Sequence, residues 1–142
     1  MPLPIAHGLI GASIIAASRP NISLRQHWKA LSLGAALAVA PDCDFFFEWV
    51  LNLDGVWHRG FSHSIMFSVA CGLLASVLSG GFRPKEAAAY GAATLSHCLL
   101  DLVTTRKHLG VELFWPFSSA RIDLDLFDYS QFNFDPRQHP VS

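Results

Sequence analysis

The chain has 142 residues, of which 51% are hydrophobic and only 15% are charged. This balance is too apolar for a disordered chain, and the length is that of one domain. Ten Lys and Arg residues against 11 Asp and Glu residues leave a net charge of -1, which offers no overall basic field for a nucleic acid, so we expect no nucleic-acid partner.

Apolar segments of helical length follow one another along most of the chain. Four of them are predicted to be helices, and a fifth, shorter helix is expected between the second and the third; in chain order the five cover residues 5–17, 26–40, 45–53, 64–78 and 85–105. Pro84 suits the first turn of the last helix, and Ser79-Gly80-Gly81 ends the helix before it. The predicted fold class is all-α, a small bundle of four to five apolar helices.

The composition changes after the last predicted helix. Aromatic residues, aspartates and prolines are mixed over residues 111–142, which is typical of extended or irregular polypeptide that wraps a helical body. We expect a helical domain over residues 1–118 and an irregular C-terminal extension over residues 119–142.

One uncharged run is long enough to span a bilayer. It covers residues 60–82, with residues 64–79 at its centre, and a spanning helix needs roughly 20 mostly apolar residues. The N-terminus lacks the basic residues that open a signal peptide, so we expect it to be mature sequence. The sequence therefore predicts a bundle embedded in a membrane, with the lipid bilayer as its partner.

His97 and Asp101 are the first candidate site residues. They stand four residues apart on the last predicted helix, so their side chains project from one face, one turn apart. A neutral imidazole and a carboxylate placed in this way can bind one divalent cation. A mutual hydrogen bond that satisfies two buried polar groups explains the same spacing, and both interpretations stay open on the sequence alone.

A second group of donors comes directly before the longest uncharged run. His58 and His63 lie on either side of Gly60, where a turn would let both imidazoles converge. Arg59 stands between them at the edge of an apolar helix, and a guanidinium that cannot lose its charge requires a carboxylate or phosphate-like partner there.

Asp42, Asp44 and His7 complete the candidates. The two aspartates follow one apolar helix and precede three phenylalanines, so they must be paired, metal-bound or at a membrane surface, although hydrated turn residues are the simpler interpretation. His7 lies in an apolar stretch, where a satisfied core histidine is the usual interpretation. The presence of three other clusters in so short a chain favours a ligand role for it.

Together these residues form a predicted ligand set of nitrogen and oxygen donors: His7, Asp42, Asp44, His58, His63, His97 and Asp101. Such donors suit Zn²⁺ first, with Mn²⁺ or Fe²⁺ as alternatives, and seven of them exceed the four of a closed structural zinc site. We expect one or two ions and an open position for a water nucleophile. Asp44 is the predicted general base, and Arg59 is predicted to stabilise charge on a phosphoryl or carbonyl oxygen.

The order of these motifs resembles the family of small membrane-bound, metal-dependent hydrolases whose bacterial representatives include SOS-regulated inner-membrane proteins. The resemblance covers about residues 5–118, and its motifs are His7-Gly8 and residues 41–44, 58–64, 96–101 and 115–118. The most specific motif is the His-Arg-Gly-Phe-Ser-His-Ser sequence at residues 58–64. The resemblance implies a helical, multi-pass protein of a bacterial inner membrane, with a metal site and a hydrolase activity.

A more distant similarity is to the zinc phospholipase C and single-strand nuclease group, which are all-helical phosphodiesterases with a multinuclear zinc site. Their His-x-x-x-Asp motif matches His97 and Asp101. The histidine that follows in those enzymes falls one residue later here, at His108, and a histidine at the exit of a helix also complements the helix dipole. Their late glutamate and histidine ligands have no clear counterpart, which favours one or two metals over three.

The leading hypothesis is a membrane-associated metallohydrolase that cleaves a phosphoester, with a lipid or a small molecule as candidate substrate, through metal-activated water. The alternative is a non-catalytic membrane protein with a structural metal or a His/Asp network between its helices. A third hypothesis, a soluble helical phosphodiesterase, requires the helix at residues 64–79 to be covered by protein on all sides.

Overall fold

The computed structural model describes residues 4–19, 23–44, 46, 49–50, 59–104, 110–122 and 124. Its α-helices are α1 (Pro4–Ala17), α2 (Leu24–Val39), α3 (Ile65–Leu78) and α4 (Pro84–Thr104). A 3-10 helix, Ala40–Asp44, continues α2, and another, Phe61–His63, precedes α3. Over the described ranges the β-structure is a single antiparallel bridge between Val111 and Ile122. The predicted all-α class is confirmed.

The fifth predicted helix falls largely outside the described residues. Of residues 45–53, the structure describes Phe46, Trp49 and Val50, and each has helical backbone.

The helices form a bundle around α4. This helix packs against α1, α2 and α3, and α1 also packs along α2. Short connections join α1 to α2 and α3 to α4, so both pairs run antiparallel. One end of the bundle therefore collects the start of α1, the end of α2, the start of α3 and the end of α4. We call it the acidic end, because Asp42, Asp44 and Asp101 lie there.

Small residues allow the helices to approach closely. A Cβ added to Gly11 of α1 would lie 2.4 Å from the Gly34 carbonyl oxygen of α2, and one added to Gly72 of α3 would lie 2.3 Å from the Ala87 carbonyl oxygen of α4. The larger core side chains, Ile15 and Tyr90, fill the space beyond these contacts. The small residues therefore bring α1 close to α2 and α3 close to α4.

The uncharged run at residues 60–82 is not one continuous helix. Ser64 caps α3, because its Oγ accepts a hydrogen bond from the Phe67 backbone N–H at 3.1 Å. Gly80 and Gly81, both with positive φ, follow its end. The helix α3 has 14 residues and is about 21 Å long. It is thus shorter than the hydrocarbon layer of a bilayer, which is about 30 Å thick. The predicted single span is corrected accordingly.

Among the described residues, no helix combines the length and the apolar character that crossing a membrane requires.

Residues 110–122 and Leu124 are linked to the acidic end by backbone hydrogen bonds. The Ile65 backbone N–H donates to the Leu113 carbonyl at 3.0 Å, and the Leu124 backbone N–H donates to the Leu102 carbonyl at 3.0 Å. The first residues of the predicted extension thus lie against the bundle. Residues 125–142, the rest of that extension, lie outside the described residues.

Candidate metal centre

Four of the predicted ligands meet at the acidic end. Asp42, His63, His97 and Asp101 each offer one donor atom, and these atoms all lie within 4.8 Å of one another. His63, His97 and Asp101 are buried, whereas the side chain of Asp42 is 20% exposed. The group thus has two nitrogen and two oxygen donors and borders solvent on the side of Asp42.

Each donor is held by a different part of the bundle. His97 and Asp101 lie one turn apart on α4, Asp42 lies in the 3-10 helix that follows α2, and His63 ends the 3-10 helix that precedes α3. The side chains converge because these chain segments share one end of an antiparallel bundle. We call these four residues the donor cluster.

The orientation of His97 is set by the end of α2. Its Nδ1 lies 2.8 Å from the Ala38 carbonyl oxygen, and because a carbonyl only accepts, Nδ1 carries the proton and donates. In a neutral ring Nε2 then carries the lone pair, and it lies 3.2 Å from Asp42 Oδ1. An imidazole held in this way by a backbone carbonyl is the common arrangement of a metal-ligating histidine.

His63 is oriented from behind by Asp44. Ser62 Oγ donates to Asp44 Oδ2 at 2.6 Å and lies 3.0 Å from His63 Nδ1. Because the single Ser62 proton goes to the carboxylate, His63 Nδ1–H donates to Ser62 Oγ. His63 Nε2 then faces the donor cluster, 3.7 Å from Asp101 Oδ2 and 3.9 Å from Asp42 Oδ1.

The electrostatics of the donor cluster favour a charged pair. Burial alone would lower the pKa of His63, but the neighbouring carboxylates of Asp101 and Asp44 outweigh burial and raise that pKa. Burial alone would raise the pKa of Asp101, but the neighbouring His63 ring and the charge of Arg59 outweigh it and lower that pKa. His63 and Asp101 therefore each stabilise the charged form of the other.

Arg59 lies beside Asp101 on a strained stretch of backbone. Its φ of 64° is in the left-handed region, and its Nε lies 3.4 Å from Asp101 Oδ2. Two backbone hydrogen bonds hold this conformation: the Arg59 N–H donates to Asp44 Oδ2 at 3.1 Å, and the Arg59 carbonyl accepts from the Glu112 N–H at 3.1 Å. The guanidinium is thereby placed next to the donor cluster.

His7 borders the cluster from α1. Its ring stacks on that of His97 with centroids 4.0 Å apart, and its Nε2 lies 3.8 Å from Asp101 Oδ1. Burial lowers the pKa of His7, and the neighbouring His97 lowers it further. A neutral His7 is therefore available beside the four donors.

Several buried atoms face one another across the cluster without hydrogen bonds. Asp42 Oδ1, His97 Nε2 and Asp101 Oδ2 have no hydrogen-bond partner within the described part of the chain. Leaving such atoms unsatisfied in a protein interior costs several kcal/mol, on the order of 1–3 for each group. A divalent cation would satisfy all of them at once, so the residues present fit a metal ion.

The structure places the predicted residues in three groups. Asp42, His63, His97 and Asp101 come together as donors, whereas Asp44, Arg59 and His7 surround them. His58 and His108 lie outside the described residues. Sequence reasoning missed Ser62, and its position directly before His63 is the signal that could have identified it.

Comparisons with known proteins agree with the expected relationship to inner membrane proteins. A family model described as the YdjM inner membrane protein matches residues 1–135. The inner membrane protein YbcI of Escherichia coli (strain K12) is 36% identical over 99 residues, which are 66% of this chain and 57% of that relative. This chain thus spans little more than half the length of the curated relative.

No solved structure matches the chain. The family match, in contrast, runs over nearly its whole length and includes every residue of the donor cluster. The chain belongs to the YdjM inner membrane protein family.

Proposed function

We propose that this protein is a metal-dependent hydrolase associated with the bacterial inner membrane, and that it acts on a phosphoester bond, with a lipid as candidate substrate. The observation that carries the proposal is the donor cluster, in which buried lone-pair atoms face one another without hydrogen bonds. A cluster that served only as a hydrogen-bond network between helices would pair these atoms.

Asp42, His63, His97 and Asp101 would hold the metal. Two imidazoles and two carboxylates suit Zn²⁺, with Mn²⁺ and Fe²⁺ as alternatives. When bound, such an ion lowers the pKa of a coordinated water towards neutrality and polarises a phosphoryl oxygen.

Arg59 would stabilise the substrate. Its guanidinium is buried beside Asp101, where water does not screen its charge, and it can donate to a phosphoryl oxygen as well as to the carboxylate. The neutral His7 ring, next to Asp101, is the group best placed to hold or release a proton at Nε2.

Asp44 is better placed to position His63 than to act as the general base. Its Oδ2 already accepts from Ser62 and from the Arg59 backbone, and the side chain is buried on the far side of the His63 ring. A carboxylate behind a ligating histidine fixes the ring and increases its basicity.

Membrane association is supported by the surface of α3. Large apolar side chains are exposed along it at Ile65, Met66, Val69, Leu73, Leu74, Val77 and Leu78. Contiguous apolar surface of this kind marks contact with a membrane or another protein. Since the family and the curated relative are named as inner membrane proteins, we infer that lipid covers this surface.

Metal analysis tests the proposal directly. Protein purified without chelators should contain a stoichiometric transition metal, and His97→Ala should lose it. His27→Ala is the matched control, because His27 lies near the other end of α2 and its loss should leave the metal content unchanged. Wild-type protein without stoichiometric metal would refute the proposal.

Activity is tested on the same proteins. A screen of phosphomonoesters, phosphodiesters and phospholipids should identify a substrate that wild type hydrolyses and His97→Ala does not. Metal content without any hydrolysis would instead support a structural metal site.

A structural metal is the second candidate, because four protein donors equal the count of a closed tetrahedral site. The two candidates differ in coordination. X-ray absorption of the zinc form should show a solvent oxygen in addition to protein ligands if the partly exposed Asp42 side is open to water. A closed shell of protein ligands would favour the structural role.

A further inference from the structure

A second group of charged residues lies at the opposite end of the bundle from the donor cluster. There, where α1 and α3 end and α2 and α4 begin, a cavity of about 330 Å³ is lined by Arg19, His27, Lys29, Arg83, Glu86 and Tyr90. Glu86 and Asp101 are 15 residues apart on α4, which separates this basic cavity from the metal centre by about 20 Å. The two sites are therefore distinct.

Two guanidinium groups already hold an anionic atom in the basic cavity. Glu86 Oε1 lies 3.2 Å from Arg19 Nη2 and 3.1 Å from Arg83 Nη1, so a single carboxylate oxygen bridges both side chains. A guanidinium has five N–H donors, and one shared oxygen satisfies only a few of them. The cavity can therefore accept further anionic oxygens.

Arg19 is held in place by other side chains. Its Nη2 lies 3.4 Å from the hydroxyl of the buried Tyr90, and its Nη1 lies 3.5 Å from His27 Nδ1. His27 reaches it because α2 departs from helical geometry at that residue, with φ -119° and ψ 16°. The kink of α2 at His27 and the buried Tyr90 hydroxyl thus position the Arg19 guanidinium.

The cavity carries excess positive charge. Arg19, Lys29 and Arg83 contribute three positive charges against the one negative charge of Glu86, and within the described residues no carboxylate pairs with Lys29. The other described carboxylates, Asp42, Asp44, Asp101 and Glu112, lie at the acidic end. Among the described residues no other acid lies near the cavity to cancel the excess of two positive charges, which matches the charge of a phosphate dianion.

We propose that the basic cavity binds a phosphate group, either free phosphate or the headgroup of an anionic lipid. Paired guanidiniums recognise phosphate oxygens through parallel charge-assisted hydrogen bonds, and the lysine adds a third positive charge. The proposal does not depend on the metal centre or on hydrolase activity.

Two probes distinguish the sources of the phosphate. Inorganic phosphate is titrated into the full-length protein by calorimetry, and vesicles of phosphatidylcholine, with and without phosphatidic acid, are tested by flotation. Lys29→Gln and Arg83→Gln each remove a cavity charge at an exposed position. Arg25→Gln and Lys85→Gln are the matched controls, because both are exposed basic residues near this end that do not line the cavity.

Each cavity variant is expected to weaken phosphate-group binding by about tenfold, and the controls by about twofold or less. Selective loss with inorganic phosphate assigns a site for free phosphate, and selective loss only with phosphatidic acid vesicles assigns a lipid headgroup. An equal loss in all four variants, or no binding of either probe, would overturn the proposal. Unchanged thermal unfolding of the variants shows that any loss is local.

Glu86→Gln provides an opposite test. It removes the carboxylate that competes for the two guanidiniums, so phosphate binding should tighten severalfold. Weaker binding in this variant would contradict the proposal.

Discussion

His97 Nε2 and Asp42 Oδ1 face each other at 3.2 Å, and in a neutral imidazole both atoms carry lone pairs. A proton or a cation between them removes the repulsion. His63 and Asp101 each stabilise the charged form of the other, which raises the pKa of His63 and lowers the pKa of Asp101. Metal binding must therefore displace protons from the cluster.

This displacement predicts how metal affinity depends on pH. His63 binds a metal only after it loses its proton, and its pKa is raised, so the affinity for Zn²⁺ should rise with pH from the ordinary histidine range, about 6.5, upwards until His63 is deprotonated. His7 adds little to the slope, because its lowered pKa leaves it neutral over that range. Competition with a calibrated chelator measures the affinity, and titration in weak buffer should detect about one released proton per ion. An affinity that is the same at both ends of this range would contradict the assignment of His63.

Asp44→Asn tests whether Asp44 acts through His63. The amide keeps the size of the side chain but removes the charge that Ser62 and His63 Nδ1 face, so metal affinity should fall about 10- to 100-fold while the number of ligands stays the same. Glu112→Gln is the matched control, because Glu112 lies at the same end but pairs with Arg121. Loss of one ligand from the X-ray absorption spectrum of Asp44→Asn would instead make Asp44 a direct ligand.

Four of the seven predicted ligands meet in the structure, but the sequence did not determine which of their atoms face one another. Spacing alone placed His97 and Asp101 on one helical face, and their apolar surroundings drew attention to His63 and the two aspartates. Asp42 and Asp44 are two residues apart in the same short helix, and only the fold determines that one faces His97 and the other lies behind His63. The roles of Ser62 and of the Ala38 carbonyl depend on contacts across 18 and 59 residues of sequence, which no local pattern contains.

At the level of the helices, the contact between α3 and α4 depends on Gly72. Gly72→Ala would place a Cβ 2.3 Å from the Ala87 carbonyl oxygen and 2.7 Å from the Gly91 nitrogen, both backbone atoms that cannot rotate away. We expect the free energy of unfolding to fall by about 1–3 kcal/mol, measured by chemical denaturation in detergent or lipid nanodiscs.

Gly8→Ala is the control for that measurement. Its Cβ would meet nothing closer than 3.8 Å, so the better helix propensity of alanine should leave stability unchanged or raise it by up to about 1 kcal/mol. Equal destabilisation of both variants would mean that the close approach at Gly72 does not hold the two helices together.

Helix ends were predicted closely where the sequence marks them. Pro84 and the Ser79-Gly80-Gly81 sequence bound α4 and α3 as expected, and Ser64 caps α3. The predicted membrane span failed because absence of charge does not distinguish a helix from the turn before it. In residues 60–82, Gly60 through Ser64 form a 3-10 turn that brings His63 to the donor cluster. The turn that places His63 at the donor cluster therefore takes up residues that a longer α3 would need.

Across the described part of the molecule, the two ends of the bundle carry different charged groups. The acidic end holds the donor cluster, the other end carries the basic cavity, and α3 exposes apolar side chains along the distance between them. A basic end is attracted to the anionic lipids of a membrane surface, and apolar side chains partition below it. The arrangement favours lipid contact by the side of the bundle that α3 forms.

Substitutions on α3 test this orientation. Leu74 and Leu78 are 60% and 76% exposed, so Leu74→Gln and Leu78→Gln should leave the fold intact, and each should weaken binding to neutral phosphatidylcholine vesicles by about tenfold through lost apolar burial. Leu9→Gln is the matched control, because Leu9 is 64% exposed on α1, away from that side. Neutral vesicles do not attract the basic end electrostatically, so the measurement reports the contribution of apolar burial alone. If Leu9→Gln weakens binding as much as the α3 variants do, lipid surrounds the bundle and α3 is not a preferred face.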